Sequence, residues 1–434
     1  MTLQGQALSG LHRRAMTWPQ ILAVALCVAV NMVDGFDIMS SGFTGPGIAK
    51  DFALDPVRLG LVLSIAPGGM VLGAIGLSPL ADLWGRRRMI PLYLLLVALA
   101  MAVAGLAPSL GALLVGRLLT GVGVGATMAA INTVAAEQAN DKWRDLCVTL
   151  QATGFPVGGT VGALALFVFP TMGWRAIFLL GASLSILLTG AVLAWMPESL
   201  DFLLDRRPSG ALERVNAALR QVGMDALASL PASAPKAGVG AGLRRDWSGR
   251  GLSTTLICLS FFSLMFTFYF LTSWTPKLLS DYGLSARGAV SGAVLINLGG
   301  VVGDLVFAAL TLRWPARRLG PPFMIACFAS AAAFAVAPLT LSTLMPIAFA
   351  MGFLLYGSIA CLYAMTPSLF PTAIRTTGTG LALGLGRIGA TVGPLVGGVL
   401  IAAGWIRPAY LLAMATPLIL CALVTAAIAR RAVS

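Results

Sequence analysis

Apolar runs of membrane length recur twelve times along the chain. They cover roughly residues 20–42, 57–79, 89–107, 109–136, 145–169, 175–196, 252–275, 288–311, 321–340, 342–366, 377–402 and 408–429. A helix rising about 1.5 Å per residue needs some 20 residues to cross a hydrocarbon core of about 30 Å. Short polar turns separate most of these runs, and one long polar stretch, Pro197 to Arg250, separates the sixth from the seventh. The pattern predicts an all-α membrane protein with an N-terminal six-helix bundle (1–197), a charged connector (198–250) and a C-terminal six-helix bundle (251–434).

The halves repeat weakly. Glu137 to Arg144 follows the fourth run at the offset at which Ser368 to Arg375 follows the tenth. Gly154-Phe-Pro-Val-Gly-Gly159 parallels Gly393-Pro-Leu-Val-Gly-Gly398. Two related bundles suggest a pseudo-twofold transporter with a site between them.

Composition agrees. Of 434 residues, 58% are hydrophobic and 10% charged, against about 25% charged in ordinary soluble domains. The net charge of +13 does not mark a nucleic-acid binder, because the basic residues lie between apolar runs. They report topology instead, since cytoplasmic loops collect Lys and Arg. With both termini inside, 21 of the 29 basic residues fall on inside segments and six on outside loops; only Arg117 and Arg387 lie within spans. The first run is too long for a cleavable signal, so a retained first helix in a bacterial inner membrane is expected.

The chemistry of enzymes is missing. Six cysteines stand singly, His12 is the only histidine, and no metal-ligand spacing or nucleophile constellation occurs. The glycine runs 121–125 and 378–386 lie inside spans with no preceding strand, so they read as helix-packing surfaces and not as phosphate loops. No cofactor is expected.

What remains is charge inside the membrane. Asp34 and Asp37 lie three residues apart on one face of the first span. Each costs roughly 2.5–3.5 kcal/mol at the centre of a lipid-facing helix. Such a pair serves proton binding or gating, or is a structural pair satisfied by backbone and water. Arg117, on the fourth span, either pairs with these aspartates or grips a substrate carboxylate. Arg387 lies about 18 Å along its helix from Arg375, near mid-membrane, and is the first choice for a substrate carboxylate. Asp304, on the eighth span, either neutralises Arg387 in the empty state or faces water at the cytoplasmic mouth. Among the many aromatic side chains, Tyr269, Tyr356 and Tyr363 are candidates for stacking on a ligand ring.

After the second span stands Ala81-Asp82-Leu83-Trp84-Gly85-Arg86-Arg87-Arg88. It is similar to the G-x-x-x-D-R-x-G-R-R loop of the major facilitator superfamily, with Ser78 at the first glycine and Leu83 at the arginine. The equivalent loop of the second half, Leu310 to Arg318, keeps only basic residues. Asp34-Gly35-Phe36-Asp37 and Gly384-Leu-Gly-Arg387-Ile-Gly-Ala390 resemble the aromatic acid:proton symporters, which import benzoate-like and hydroxybenzoate-like carboxylates. The resemblance implies that Asp82, Arg86 and Glu137 form a latch of the outward-facing state. It also implies import of an aromatic carboxylate by proton symport, by a chain working as a monomer with the lipid bilayer as its only other partner. Two rival readings are another organic-anion or drug carrier of the superfamily, and a membrane sensor that binds the same ligand without moving it.

Overall fold

The computed structural model describes residues 15–140, 142–169, 171, 173–198, 202–204, 207, 210–221, 226–227, 229–230, 251–281, 283, 285–370 and 375–431. The tail with His12, Arg13 and Arg14, most basic residues of the connector, and residues 371–374 of the repeat lie outside these.

Twelve helices are long and apolar enough to cross a membrane. They are α1 (Trp18–Asp51), α2 (Pro56–Trp84), α3 (Arg86–Gly105), α4 (Leu110–Gln138), α5 (Leu146–Val168), α6 (Gly173–Trp195), α7 (Gly251–Asp281), α8 (Gly288–Thr311), α9 (Ala316–Val336), α10 (Leu341–Met365), α11 (Gly378–Ala402) and α12 (Arg407–Ile428). Capping side chains set several starts. Asp55 accepts the Arg58 amide at 2.7 Å with Pro56 in the first turn, and Ser109 accepts the amide of Ala112. At the start of α1, Gln20 accepts the Thr17 amide at 2.9 Å and donates to the Gln138 carbonyl, tying α1 to the end of α4.

Two helices outrun their apolar runs. α1 continues through Pro46 to Asp51, and α7 through Pro276 to Asp281. Proline removes one ladder bond, but packing holds α1 across it. Gly45 meets Leu59 and Leu63, and Gly47 lies against the Trp174 ring.

Each half packs by the same scheme: α1 on α5, α2 on α4 and α3 on α6 correspond to α7 on α11, α8 on α10 and α9 on α12. Glycine makes the closest of these seams. A Cβ on Gly121 or Gly125 would overlap the Ala66 or Met70 carbonyl of α2, and one on Gly299 or Gly303 would overlap Phe349 or Phe353 of α10. The glycine run 121–125 is therefore a packing surface, as its position in the span suggested, whereas Gly380 and Gly384 of the run 378–386 meet no neighbour.

The halves meet through α1 with α7, α2 with α11 and α5 with α8. One strip of α11, the residues 398, 394, 391, 387, 384 and 380, shows how far they stay in touch. A Cβ on Gly398 would overlap the Pro56 carbonyl, one on Gly60 would sit 2.9 Å from the Pro394 carbonyl, and Thr391 touches Gly68. Arg387 still reaches Met70 of α2. Below it, Gly384 and Gly380 have nothing within 4 Å, and neither does Gly76 of α2. The molecule is closed at the end bearing Asp51 and Pro56, here the far end. It is open at the end bearing Arg86–Arg88, the basic end.

Candidate functional site

The charged residues inside the spans fall into two groups. In the first, Arg117 of α4 donates to the Asp37 carboxylate at 2.6 Å and to the Asp37 backbone carbonyl at 3.2 Å. Its guanidinium lies 5.3 Å from the centroid of the Phe178 ring of α6. The two side chains are 1% and 0% exposed, so the pair is sealed within the N-terminal half. The structure thus brings Arg117 to Asp37 and away from any opening. This is the ion-pair alternative, and a substrate carboxylate has no access to it in this conformation.

Asp34 is arranged differently. It is wholly buried, yet neither carboxylate oxygen has a hydrogen-bond partner among the described residues. Gly35 beside it lets α5 approach, since a Cβ there would overlap the Phe155 carbonyl. The Arg387 guanidinium of the other half acts on Asp34 through its field.

Arg387 anchors the second group. Its Nη1 donates to the Tyr269 hydroxyl of α7 at 2.9 Å and lies 3.6 Å from the Met70 sulfur. Nη2 lies 3.3 Å from the Met128 sulfur of α4. No carboxylate pairs with it among the described residues. Thioethers are weak acceptors, so the guanidinium is held across the seam between the halves without being neutralised. Aromatic rings continue from it. Phe268 stands edge-on to Tyr269 and to Tyr356, with centroids 5.3 and 4.9 Å apart, and the Tyr356 hydroxyl donates to Asn297 at 3.0 Å. Tyr363 is 41% exposed, edge-on to Phe261 and within the field of Arg387. The arrangement is a cation with a hydroxyl beside it, lined by rings and thioethers and open toward the basic end. Such a chamber suits a small organic anion with an apolar body.

Comparison with known proteins places this geometry. The family model described as Major Facilitator Superfamily matches residues 27–381. The chain belongs to the major facilitator superfamily. The 4-hydroxybenzoate transporter PcaK of Pseudomonas putida is 30% identical to it, over 94% of this chain and 92% of the relative. The gallate transporter of Pseudomonas putida is 31% identical, over 91% and 88%. Among solved structures, the inward-open xylose transporter XylE from E. coli superposes with a TM-score of 0.73 at 14% identity, covering 94% of this chain and 95% of that one. The chain is a multi-pass membrane carrier of this superfamily and not an enzyme.

The superfamily loop between α2 and α3 turns at Gly85, whose φ of +93° suits glycine. Arg86 donates to the Glu137 carboxylate and, at 3.2 Å, to Asp82. All three belong to the N-terminal half, and they are joined while the basic end is open. The three residues of the expected latch are thus joined to one another in this structure. The connector contributes here too, because the Arg87 amide donates to Glu198 at 3.3 Å.

Asp304 does not pair with Arg387. It is half-buried, on the face of α8 that also carries Asn297, and the ring it acts on is Tyr356. Met70, Met128 and Phe178 were not singled out from the sequence. Apolar side chains inside apolar spans give no signal that they touch a guanidinium.

Proposed function

We propose that the protein imports an aromatic carboxylate together with protons, with its basic end in the cytoplasm of a bacterial cell. The observation that carries this reading is Arg387, a half-buried guanidinium held by one tyrosine hydroxyl and two thioethers, acting across the seam on Asp34, which has no hydrogen-bond partner among the described residues. A carboxylate makes stronger, charge-assisted bonds to guanidinium than a thioether does. An arriving anion therefore displaces Met70 and Met128 and keeps the Tyr269 hydroxyl as a second donor. Tyr269, Phe268, Tyr356 and Tyr363 offer faces and edges for its ring. The names of the relatives, carriers of 4-hydroxybenzoate and gallate, support an aromatic acid, and the excess of Lys and Arg at one end supports the orientation.

The coupling follows from charge. Substrate binding neutralises Arg387 and so removes a cation that acts on Asp34 across the seam. A carboxylate left buried and unpaired is costly to keep ionised, so loading with substrate favours loading Asp34 with a proton. Both charges are then satisfied and the halves close around them. Asp37, already held by Arg117, positions the helix and the field around Asp34; Asp34 is the proton carrier.

Uptake by the purified protein in vesicles tests this, with labelled benzoate, 4-hydroxybenzoate and gallate and with or without an imposed pH gradient. Accumulation is expected only when the outside is the more acidic. Uptake indifferent to the gradient removes symport, and binding without uptake makes the chain a sensor.

A further inference from the structure

Among the described residues, ten buried side-chain nitrogen or oxygen atoms have no hydrogen-bond partner, and they are not scattered. Seven belong to one region of the N-terminal half: Asn31 Oδ1, both oxygens of Asp34, Asp37 Oδ2, Ser41 Oγ, Ser64 Oγ and Arg117 Nε. The other three are single threonine hydroxyls of α7, α11 and α12. Asn31, Asp34, Asp37 and Ser41 follow one another at spacings of three, three and four, which is one strip of α1 about 15 Å long at ~1.5 Å per residue. Gly45 packs against Leu59 and Leu63 of α2, which brings the next residue of α2, Ser64, to the height of Ser41. The neighbouring hydroxyls show that such orphaning is avoidable. Ser40 and Thr44 bond back to their own helix at 2.5 Å, on the Asp37 and Ser40 carbonyls; Ser41 and Ser64 do not.

Polar atoms this deep are satisfied by protein or by internal water, and for these seven atoms the described residues supply no partner. All six side chains are at most 3% exposed. We propose that Ser64, Ser41, Asp37, Asp34 and Asn31 line a file of internal waters along α1, and that this file carries the coupled proton on a route separate from the substrate's. The inference rests on the reading of the chain as proton-coupled. The substrate's route is the chamber around Arg387, which opens at Gly384 and Gly380 on the opposite half. The file starts instead inside the protein, at Ser41 and Ser64 on the far-end side of the aspartates, and runs to them, with Asn31 on the basic side of Asp34. Each step is a transfer between oxygens. A hydronium at the Ser41 end gives a proton to the next water, which passes its own onward, until a carboxylate oxygen of Asp34 takes it. Only O–H bonds form and break, and the waters are left as they began. The Asp37–Arg117 pair flanks the file with zero net charge, so a proton passes it without being trapped.

The test separates proton movement from substrate movement. Full-length protein in vesicles is assayed for gradient-driven uptake of labelled 4-hydroxybenzoate, or of whichever aromatic acid the wild type accepts. Counterflow is measured in parallel, as exchange of labelled for unlabelled substrate at equal pH on both sides. The double variant Ser41→Ala with Ser64→Ala is expected to lose gradient-driven rate severalfold while counterflow stays within twofold of wild type. Ser41→Thr, which keeps the hydroxyl, is expected to retain the driven rate. Equal loss of both activities would make the serines structural and overturn the file, and so would loss of neither. Wild-type uptake that ignores the gradient would overturn proton coupling itself, and the file with it, a result distinguishable from the other two because it needs no variant.

Discussion

The two aspartates of α1 should respond oppositely to the same substitution. Asp37 holds a guanidinium at 2.6 Å between side chains that are 1% and 0% exposed. Asp37→Asn leaves Arg117 charged, buried and without its counter-ion, and losing one partner of such a pair costs about 3–5 kcal/mol. Some of that remains offset by Phe178, whose ring contact is worth about 0.5–2 kcal/mol. Removing both charges together, as Asp37→Leu with Arg117→Met, abolishes the orphan, and stability should return to the wild-type value or rise by about 1–4 kcal/mol. Asp34→Asn deletes a charge that no donor holds, so it should leave stability unchanged or raise it. Both single variants should lose gradient-driven accumulation. Unfolding of purified protein in detergent, followed by tryptophan fluorescence, measures the order. The reasoning fails if Asp34→Asn costs as much as Asp37→Asn, or if the double variant is no more stable than Asp37→Asn alone.

Arg387→Gln removes charge-assisted bonds worth about 1.5–3 kcal/mol, which corresponds to roughly 10–150-fold weaker substrate binding. Tyr269→Phe removes one hydrogen bond to the charged carboxylate, again about 1.5–3 kcal/mol, or roughly 10–150-fold; equilibrium binding of labelled ligand checks both, and an unchanged affinity in Arg387→Gln would move the carboxylate site elsewhere. Gly398→Val puts side-chain atoms where the Pro56 carbonyl lies, so the far end should no longer close. A cysteine placed at Ser273, in the α1–α7 contact opposite Gly42, should then react with a membrane-impermeant thiol reagent in Gly398→Val and be protected without it. The six native cysteines are all buried and give a low background.

The spans were legible because twenty apolar residues in a row admit few other readings. The overrun of α1 was not, since Gly45-Pro46-Gly47 reads as a stop until Trp174 and Leu59 are known to pack around it. Asp34, Asp37, Arg117 and Arg387 stood out by the expense of charge in an apolar run. Their pairing did not, because helical rise fixes the height of a residue and not the neighbour it turns toward. Height alone allowed Arg117 to serve either aspartate or the ligand, and allowed Asp304 to meet Arg387, whereas the observed neighbours are Asp37 and Tyr356. The least legible feature is the row of orphaned atoms. Asn31, Ser41 and Ser64 are ordinary residues for a membrane helix, and only the oxygens left without a partner among the described residues distinguish them from Ser40 and Thr44.

The far-end seam has a kinetic consequence. Gly398 over Pro56, Gly60 against Pro394 and Gly42 over Ser273 bring main chain against main chain. At these three contacts no side chain has to leave one rotamer for another when the halves part. Nothing has to be re-registered there when the seam shuts, because two smooth surfaces meet in the same way each time. On the proposed function, resistance to switching then lies at the centre, where Arg387 exchanges its thioether partners for a carboxylate, and the ligand rather than these contacts times the traffic.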